Sequence, residues 1–197
     1  VTLPRLLRLI NDRAGSAVVE FALIAPVLLI VLMGVFDIGY NMWATTMLQG
    51  SLQQAARAST IEGAQNQITS IDAIISNSVH RVVPEASVTF ARKSYTNFSD
   101  VGTPEDYTDS NKDNACDNNE PYEDSNGNGT WDSDRGKIGN GGARDAVLYT
   151  VTMTYPRAFP LIELIGVPAT VSTAATTVLR NQPFKKQEVS STVGYCA

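Results

Sequence analysis

The sequence predicts an α+β protein. A long apolar N-terminal helix continues into a head made of a second helix and a small antiparallel sheet, with an acidic loop insert. Three observations predict this. Residues 16–36, SAVVEFALIAPVLLIVLMGVF, hold a single charge, Glu20, over about 30 Å of helix, the thickness of a bilayer core. Three later segments, 87–95, 146–155 and 169–180, alternate or are rich in β-branched and aromatic residues. Between the first two, residues 100–134 carry eleven acids against one base, Lys112.

The remaining composition excludes several classes. The chain has 197 residues, net charge -5, two cysteines and one histidine. Its 43% hydrophobic content supports a core and argues against generic disorder. Two cysteines cannot staple a disulfide mini-scaffold. No basic face is available for nucleic acid, which needs clustered Lys and Arg. No serine elbow, histidine base, phosphate loop or pair of catalytic carboxylates stands out, so no enzyme is expected. The order along the chain is a basic leader (1–15), a transmembrane and extended helix (16–60), a head (61–182) with an insert (97–145), and a tail (183–197).

The leader holds Arg5, Arg8 and Arg13 against Asp12. Arginines before the span put the N-terminus in the cytoplasm and the head across the membrane. A secretory signal would have a shorter apolar run and a small-residue cleavage site. Glu20 at the edge of the span is costly without a partner. Cleavage after Gly15 would make Ser16 a new ammonium terminus, which a neighbouring subunit's Glu20 could neutralise. Pro26 removes one helical hydrogen bond and is a candidate kink.

The run RAGSAVVEFALIAPVLLIVLMGVFDIGY, followed by QQAARAST, resembles the TadE/TadG-like proteins of tight-adherence (Flp) type IV pilus systems. The stretch GGARDAVLYTVTMTYP resembles the same proteins. The resemblance implies a pilin-like fold and a structural pseudopilin or minor pilin, cut by a prepilin peptidase between Gly15 and Ser16. It makes Glu20 the acid at the fifth mature position, followed by Phe21 where such proteins often have Tyr. The implied setting is the bacterial inner membrane with a periplasmic head. The implied partners are the peptidase, other pilins or pseudopilins and the assembly platform, with incorporation into an extracellular pilus as a later step. The alternative is a permanently anchored, calcium-dependent binding or adhesion protein.

Past the span, residues 37–60 contain no proline. Ile38, Met42, Thr45, Leu48 and Leu52 recur at helical spacing, and alanines 55, 56 and 58 favour helix. Gly34, Ala44 and Gly50 offer small surfaces for close helix contact. Met42 and Trp43 read as an interfacial anchor. Gly63 marks a turn. Ile68, Ile71, Ile74, Ile75, Val79 and Val82 make a second amphipathic helix over 68–82, with His80 at its C-terminal end and Pro84 stopping it. Residues 155–168 read as a packed loop or short helix. The tail after Pro183 is expected to be loose apart from Cys196.

The acidic block has calcium-loop spacing. In residues 109–120, Asp109, Asn111, Asp113, Asp117 and Glu120 fill positions 1, 3, 5, 9 and 12, with the Ala115 carbonyl at 7. Asn114 stands at position 6 in place of Gly, and Asn tolerates the left-handed conformation. In residues 124–132, Asp124, Asn126, Asn128 and Asp132 fill positions 1, 3, 5 and 9, with Gly129 at the turn and the Thr130 carbonyl at 7. Position 12 there is Arg135, so a carboxylate from Asp134, Glu123 or Glu120 must substitute. Closely spaced carboxylates, amides and carbonyls suit calcium better than magnesium. Cys116 and Cys196 both lie on the oxidising side and are expected to pair. In the chain-entropy model such a bond is worth at most roughly 4–5 kcal/mol.

Overall fold

The computed structural model describes residues 16–59, 68–159, 166–181 and 191–197. The leader with Gly15, the turn at Gly63, residues 160–165 of the proline-bounded loop and the first part of the tail lie outside the described residues. The elements are α1 (Ser16–Ser59), α2 (Ile68–Val82), β1 (Ser87–Tyr95), a 3-10 turn (Phe98–Asp100), β2 (Pro121–Asp124), β3 (Lys137–Ile138), β4 (Ala146–Pro156), β5 (Thr170–Arg180) and β6 (Thr192–Tyr195). Both helices and the three long strands occupy the segments where residue periodicity puts them. The chain divides into two compact units, Val1–Met42 with Arg157–Val171, and Trp43–Pro156 with Ser172–Ala197.

In the first unit, α1 continues through Pro26 without interruption. It is long and apolar enough to cross a membrane, and none of its most apolar window is buried. Leu23 and Val19 are 81% and 70% exposed. The core helix of a soluble protein would hide this surface, because each buried aliphatic side chain gains about 1.5–3 kcal/mol. Near the end of the span, Asp37 is only 3% exposed. It takes hydrogen bonds from the Arg157 guanidinium and, at 2.9 Å, from Asn41 Nδ2. The Arg157 Nε donates to Pro168 O at 2.7 Å, and its backbone N–H donates to Ala169 O at 2.9 Å. Phe36 and Phe159 rings lie 6.2 Å apart beside this pair.

In the second unit, β4 is the centre of the sheet. Its alternate residues Val147, Tyr149, Val151, Met153 and Tyr155 are buried, the period-2 signature of a strand with one covered face. Strand β1 pairs antiparallel with it over nine residues, from Ser87↔Thr154 to Tyr95↔Ala146. The sheet order is β3-β1-β4-β5. The core adds Ile71, Ile75 and Val79 from α2, and Ala44, Leu48, Leu52 and Ala55 from α1. Asp72 of α2 accepts from both Arg92 of β1 and the Tyr149 hydroxyl of β4. The Arg92 guanidinium also lies 4.2 Å from the Tyr149 ring centroid. Helix α2 is thereby bonded to the two central strands. His80 sits at the helix end as expected, with Nε2 donating to Ala86 O at 2.9 Å.

Two expectations need correction. Ile38 and Met42 are 62% and 67% exposed, so they are not in the packing stripe of α1. Leu48 and Leu52 are buried as the spacing suggests, and Ala44, Ser51 and Ala55 join them. The tail is not loose throughout, because β6 pairs antiparallel with β2 from Pro121↔Tyr195 to Asp124↔Thr192.

The β2–β6 pair depends on a residue without a side chain. A Cβ at Gly194 would overlap the ring of Tyr122, which is 3% exposed. Gly194→Ala should destabilise the head by about 1–3 kcal/mol, read as a lowered denaturation midpoint of the full chain in detergent. An unchanged midpoint would refute this packing.

Candidate functional site

The site at the start of α1 is simple. Ser16 is the first described residue and begins the helix. Glu20 lies one turn later on an exposed face, and Phe21 is 65% exposed. The first turn of α1 has no acid, so Glu20 is the first carboxylate that the helix presents.

The acidic insert is more ordered than its composition suggests. It leaves β1 at Tyr95, touches the sheet edge again as β3, and enters β4 at Ala146, the paired neighbour of Tyr95. Its organising contact is an antiparallel bridge between Tyr107 and Tyr122. Thr108 N–H donates to Pro121 O at 2.9 Å, and Glu123 N–H donates to Asp106 O at 2.8 Å. Extended in this register, Asp109 lies opposite Glu120 and Glu105 lies opposite Asp124. Strand β6 covers the other edge of β2, with Cys196 N–H donating to Glu120 O at 2.8 Å. Cys116 and Cys196 are joined in a disulfide, with Cα atoms 5.4 Å apart.

The two loops share one backbone design. Positions 4 and 6 are left-handed in both: Lys112 (φ 66) and Asn114 (φ 62) in one, Gly127 (φ 78) and Gly129 (φ 79) in the other. The first Asp of each accepts backbone N–H groups from the loop it opens. Asp109 takes Lys112 and Asn114 at 2.5 and 3.0 Å. Asp124 takes Gly127, Asn128 and Gly129 at 2.7, 3.2 and 2.9 Å. Asn111 Oδ1 and Asn126 Oδ1 each accept the N–H two residues on, at 2.9 and 3.0 Å, as Asx turns do. Asp132 receives Asn126 Nδ2 and Asn128 Nδ2 at 2.8 and 2.6 Å. Asp117 receives Asn118 Nδ2 at 2.6 Å. Asp113 Oδ1 accepts Ala115 N–H at 2.8 Å, and Asn128 Oδ1 accepts Thr130 N–H at 2.8 Å. Among the described residues, no three His, Cys, Asp or Glu side chains converge as a metal-binding group. Any cation here therefore needs the amide and carbonyl oxygens as well.

A glutamate closes each loop, and one of the two was missed. Glu120 Oε1 accepts the N–H groups of Ser110 and Asn111 at 2.5 and 3.4 Å. In the second loop the equivalent group is Glu105, 1% exposed, whose Oε1 accepts Ser125 and Asn126 N–H at 2.9 and 3.4 Å. Its Oε2 accepts Asp132 N–H at 3.1 Å. None of the three substitutes named for position 12 stands there. Asp134 is bonded to Lys93 and Tyr95, Glu123 is exposed, and Glu120 serves the first loop. Arg135 instead donates to Pro104 O and pairs with Asp106 at 3.0 Å. A signal for Glu105 exists in the sequence. EDYTDSNKDNACD (105–117) and EPYEDSNGNGTWD (120–132) are an internal repeat. The glutamate of each copy closes the loop of the other.

Electrostatics mark a second cluster at the base of the insert. Burial, then the Asp134 hydrogen bond at 2.9 Å, pushes the Tyr95 hydroxyl from 10.0 to about 12. Burial pushes the Asp134 carboxyl up, but hydrogen bonds from Lys93, Tyr95 and Gly136 N–H outweigh it and hold it below its ordinary value of 3.8. A Cβ at Gly136 would come within 2.6–2.7 Å of the Tyr95 ring, so this close approach requires glycine.

Residues 15–57 match the family model described as TadE-like protein. The matched segment spans the Gly15–Ser16 bond, Glu20 and nearly all of α1, and stops before the sheet. No curated protein matches the chain, and no solved structure matches it.

Two outcomes follow from this geometry. The Tyr95–Asp134 pair contributes stability that is complete below pH 10 and is lost as pH rises through about 12. On the acid side its contribution is complete above 3.8 and is lost as pH falls through the lowered Asp134 value. Denaturation midpoints measured against pH should show the alkaline decline, and Tyr95→Phe should remove part of it. Reduction of Cys116–Cys196, or Cys116→Ser, frees a separation of 80 residues. It should cost up to about 4–5 kcal/mol in the chain-entropy model, measured by denaturation with and without reductant.

Proposed function

We propose that this protein is a structural, pilin-like subunit of a tight-adherence pilus system, anchored in the bacterial inner membrane through α1. The observation that carries this reading is the TadE-like match over residues 15–57. It falls on a helix whose apolar surface is exposed from end to end of the span. Such a surface needs lipid or other apolar helices around it.

In this reading the basic leader stays in the cytoplasm and the head faces the periplasm. A prepilin peptidase cuts between Gly15 and Ser16. The new Ser16 ammonium then lies one helical turn from Glu20, and in an assembled bundle it neutralises the Glu20 of a neighbouring subunit. A charge pair among apolar helices is directional, so this pairing sets the register of adjacent subunits. Hydrophobic helix packing supplies the assembly energy. The role is structural, and its partners are the peptidase, other pilins or pseudopilins, and the assembly platform.

Co-expression with a tight-adherence prepilin peptidase, followed by mass spectrometry of the N-terminus, tests this. The expected product begins at Ser16, and a Gly15 substitution abolishes it. An intact chain, under a peptidase active on another substrate, would overturn processing and leave a permanently anchored protein. Glu20→Gln should leave cleavage intact and reduce recovery of the protein in assembled fibres.

A further inference from the structure

We infer that the loop 109–120 binds one divalent cation, calcium by its donor set, with Glu120 as the closing ligand. This goes beyond the pilus reading and does not depend on it.

The argument starts from an orphaned atom. Glu120 is 3% exposed, and its Oε2 is buried with no hydrogen-bond partner. Leaving a buried carboxylate oxygen unpaired is among the more expensive arrangements in a folded chain. The carboxylate cannot simply turn away, because its Oε1 is held by the Ser110 and Asn111 N–H groups. That anchor aims the group at the opening turn of the loop, opposite Asp109. The other copy of the repeat is the internal comparison. There the second oxygen of Glu105 is satisfied by Asp132 N–H at 3.1 Å. The first loop lacks this donor and needs another positive partner.

Charge points the same way. Asp109, Asp113, Asp117 and Glu120 lie within twelve residues, and Lys112 is the only base among them. Among the described residues, no salt bridge involves any of the four. Each carboxylate oxygen has two lone pairs, so the backbone bonds that shape the loop leave capacity for a cation. Asn111 and the Ala115 carbonyl complete an all-oxygen set, and the left-handed Asn114 supplies the sharp turn. A hard cation with six to eight oxygen ligands and tolerant geometry fits this better than magnesium, which keeps its waters.

The test uses the full chain in detergent, with calcium, magnesium and terbium as probes. Calcium should bind with one equivalent at the Glu120 loop, at a Kd of roughly 10⁻⁵ to 10⁻³ M. It should raise the thermal midpoint of the head. Terbium should show emission sensitised by Tyr107 that calcium displaces and magnesium does not. Glu120→Gln keeps the acceptor for Ser110 and Asn111, and should weaken calcium by about tenfold or more. Asp113→Asn, at an exposed position, should also weaken binding and stands in if Glu120→Gln does not fold. Tyr107→Phe should dim terbium while leaving calcium affinity in place. A second equivalent that survives Glu120→Gln leaves the assignment standing. Absence of calcium binding to the parent chain would overturn it, as would unchanged affinity in both carboxylate variants.

Discussion

The β1–β4 ladder is the interaction on which the head depends. Nine consecutive residue pairs fix its register, and alternation along β4 then decides what is inside. A slip of one residue would turn Tyr149, Val151 and Met153 out of the core. The same register carries Arg92 and Tyr149 to one side of Asp72, so it also fixes where α2 is bonded. Because Tyr95 and Ala146 are partners, the long acidic insert begins and ends at one point on the sheet. Closing a long loop whose ends are already paired adds little entropy cost per extra residue. The insert is free to be elaborate without disturbing the ladder.

Within the insert the same economy recurs at a smaller scale. Two copies of one short motif cross at Tyr107 and Tyr122, and each copy completes the other. Glu105, at the start of the first copy, closes the second loop, and Glu120, at the start of the second copy, closes the first. The two loops therefore stand or fall together. Cooperative dependence of this kind suits a region with little apolar core, where backbone and carboxylate bonds must replace buried area.

How much of this was legible from sequence follows from length and period. Helices α1 and α2 and strands β1, β4 and β5 each run nine residues or more, enough for a repeat of 3.6 or 2 to be read. Strands β2, β3 and β6 have two to four residues and no readable period. Their existence depends on partners far along the chain, so the tail was mistaken for loose chain. In α1 the spacing finds Leu48 and Leu52, which are buried, but extends the stripe too far back to Ile38 and Met42, which are exposed. In the acidic loops, spacing picks out the side chains on which the backbone turns form, Asp109, Asn111 and Asp113 in one and Asp124, Asn126 and Asn128 in the other. Glu105 escaped because it reaches its loop across a strand pair and not along the chain. The repeat that betrays it was there to be seen.

The disulfide has a mechanical meaning for a head that continues from one long apolar helix. Cys196 is the penultimate residue, and its bond to Cys116 closes a covalent ring with a sequence separation of 80. At roughly 3.3–3.6 Å per extended residue, about 270 Å of chain lies inside that ring. Tension applied between α1 and the C-terminus cannot pay out this slack while the bond lasts. Strands β4 and β5 lie within the ring, and the pull bypasses them through the sulfurs. The oxidised head can yield only by separating the chain before Cys116, so its extensibility under load is set by redox state as much as by packing.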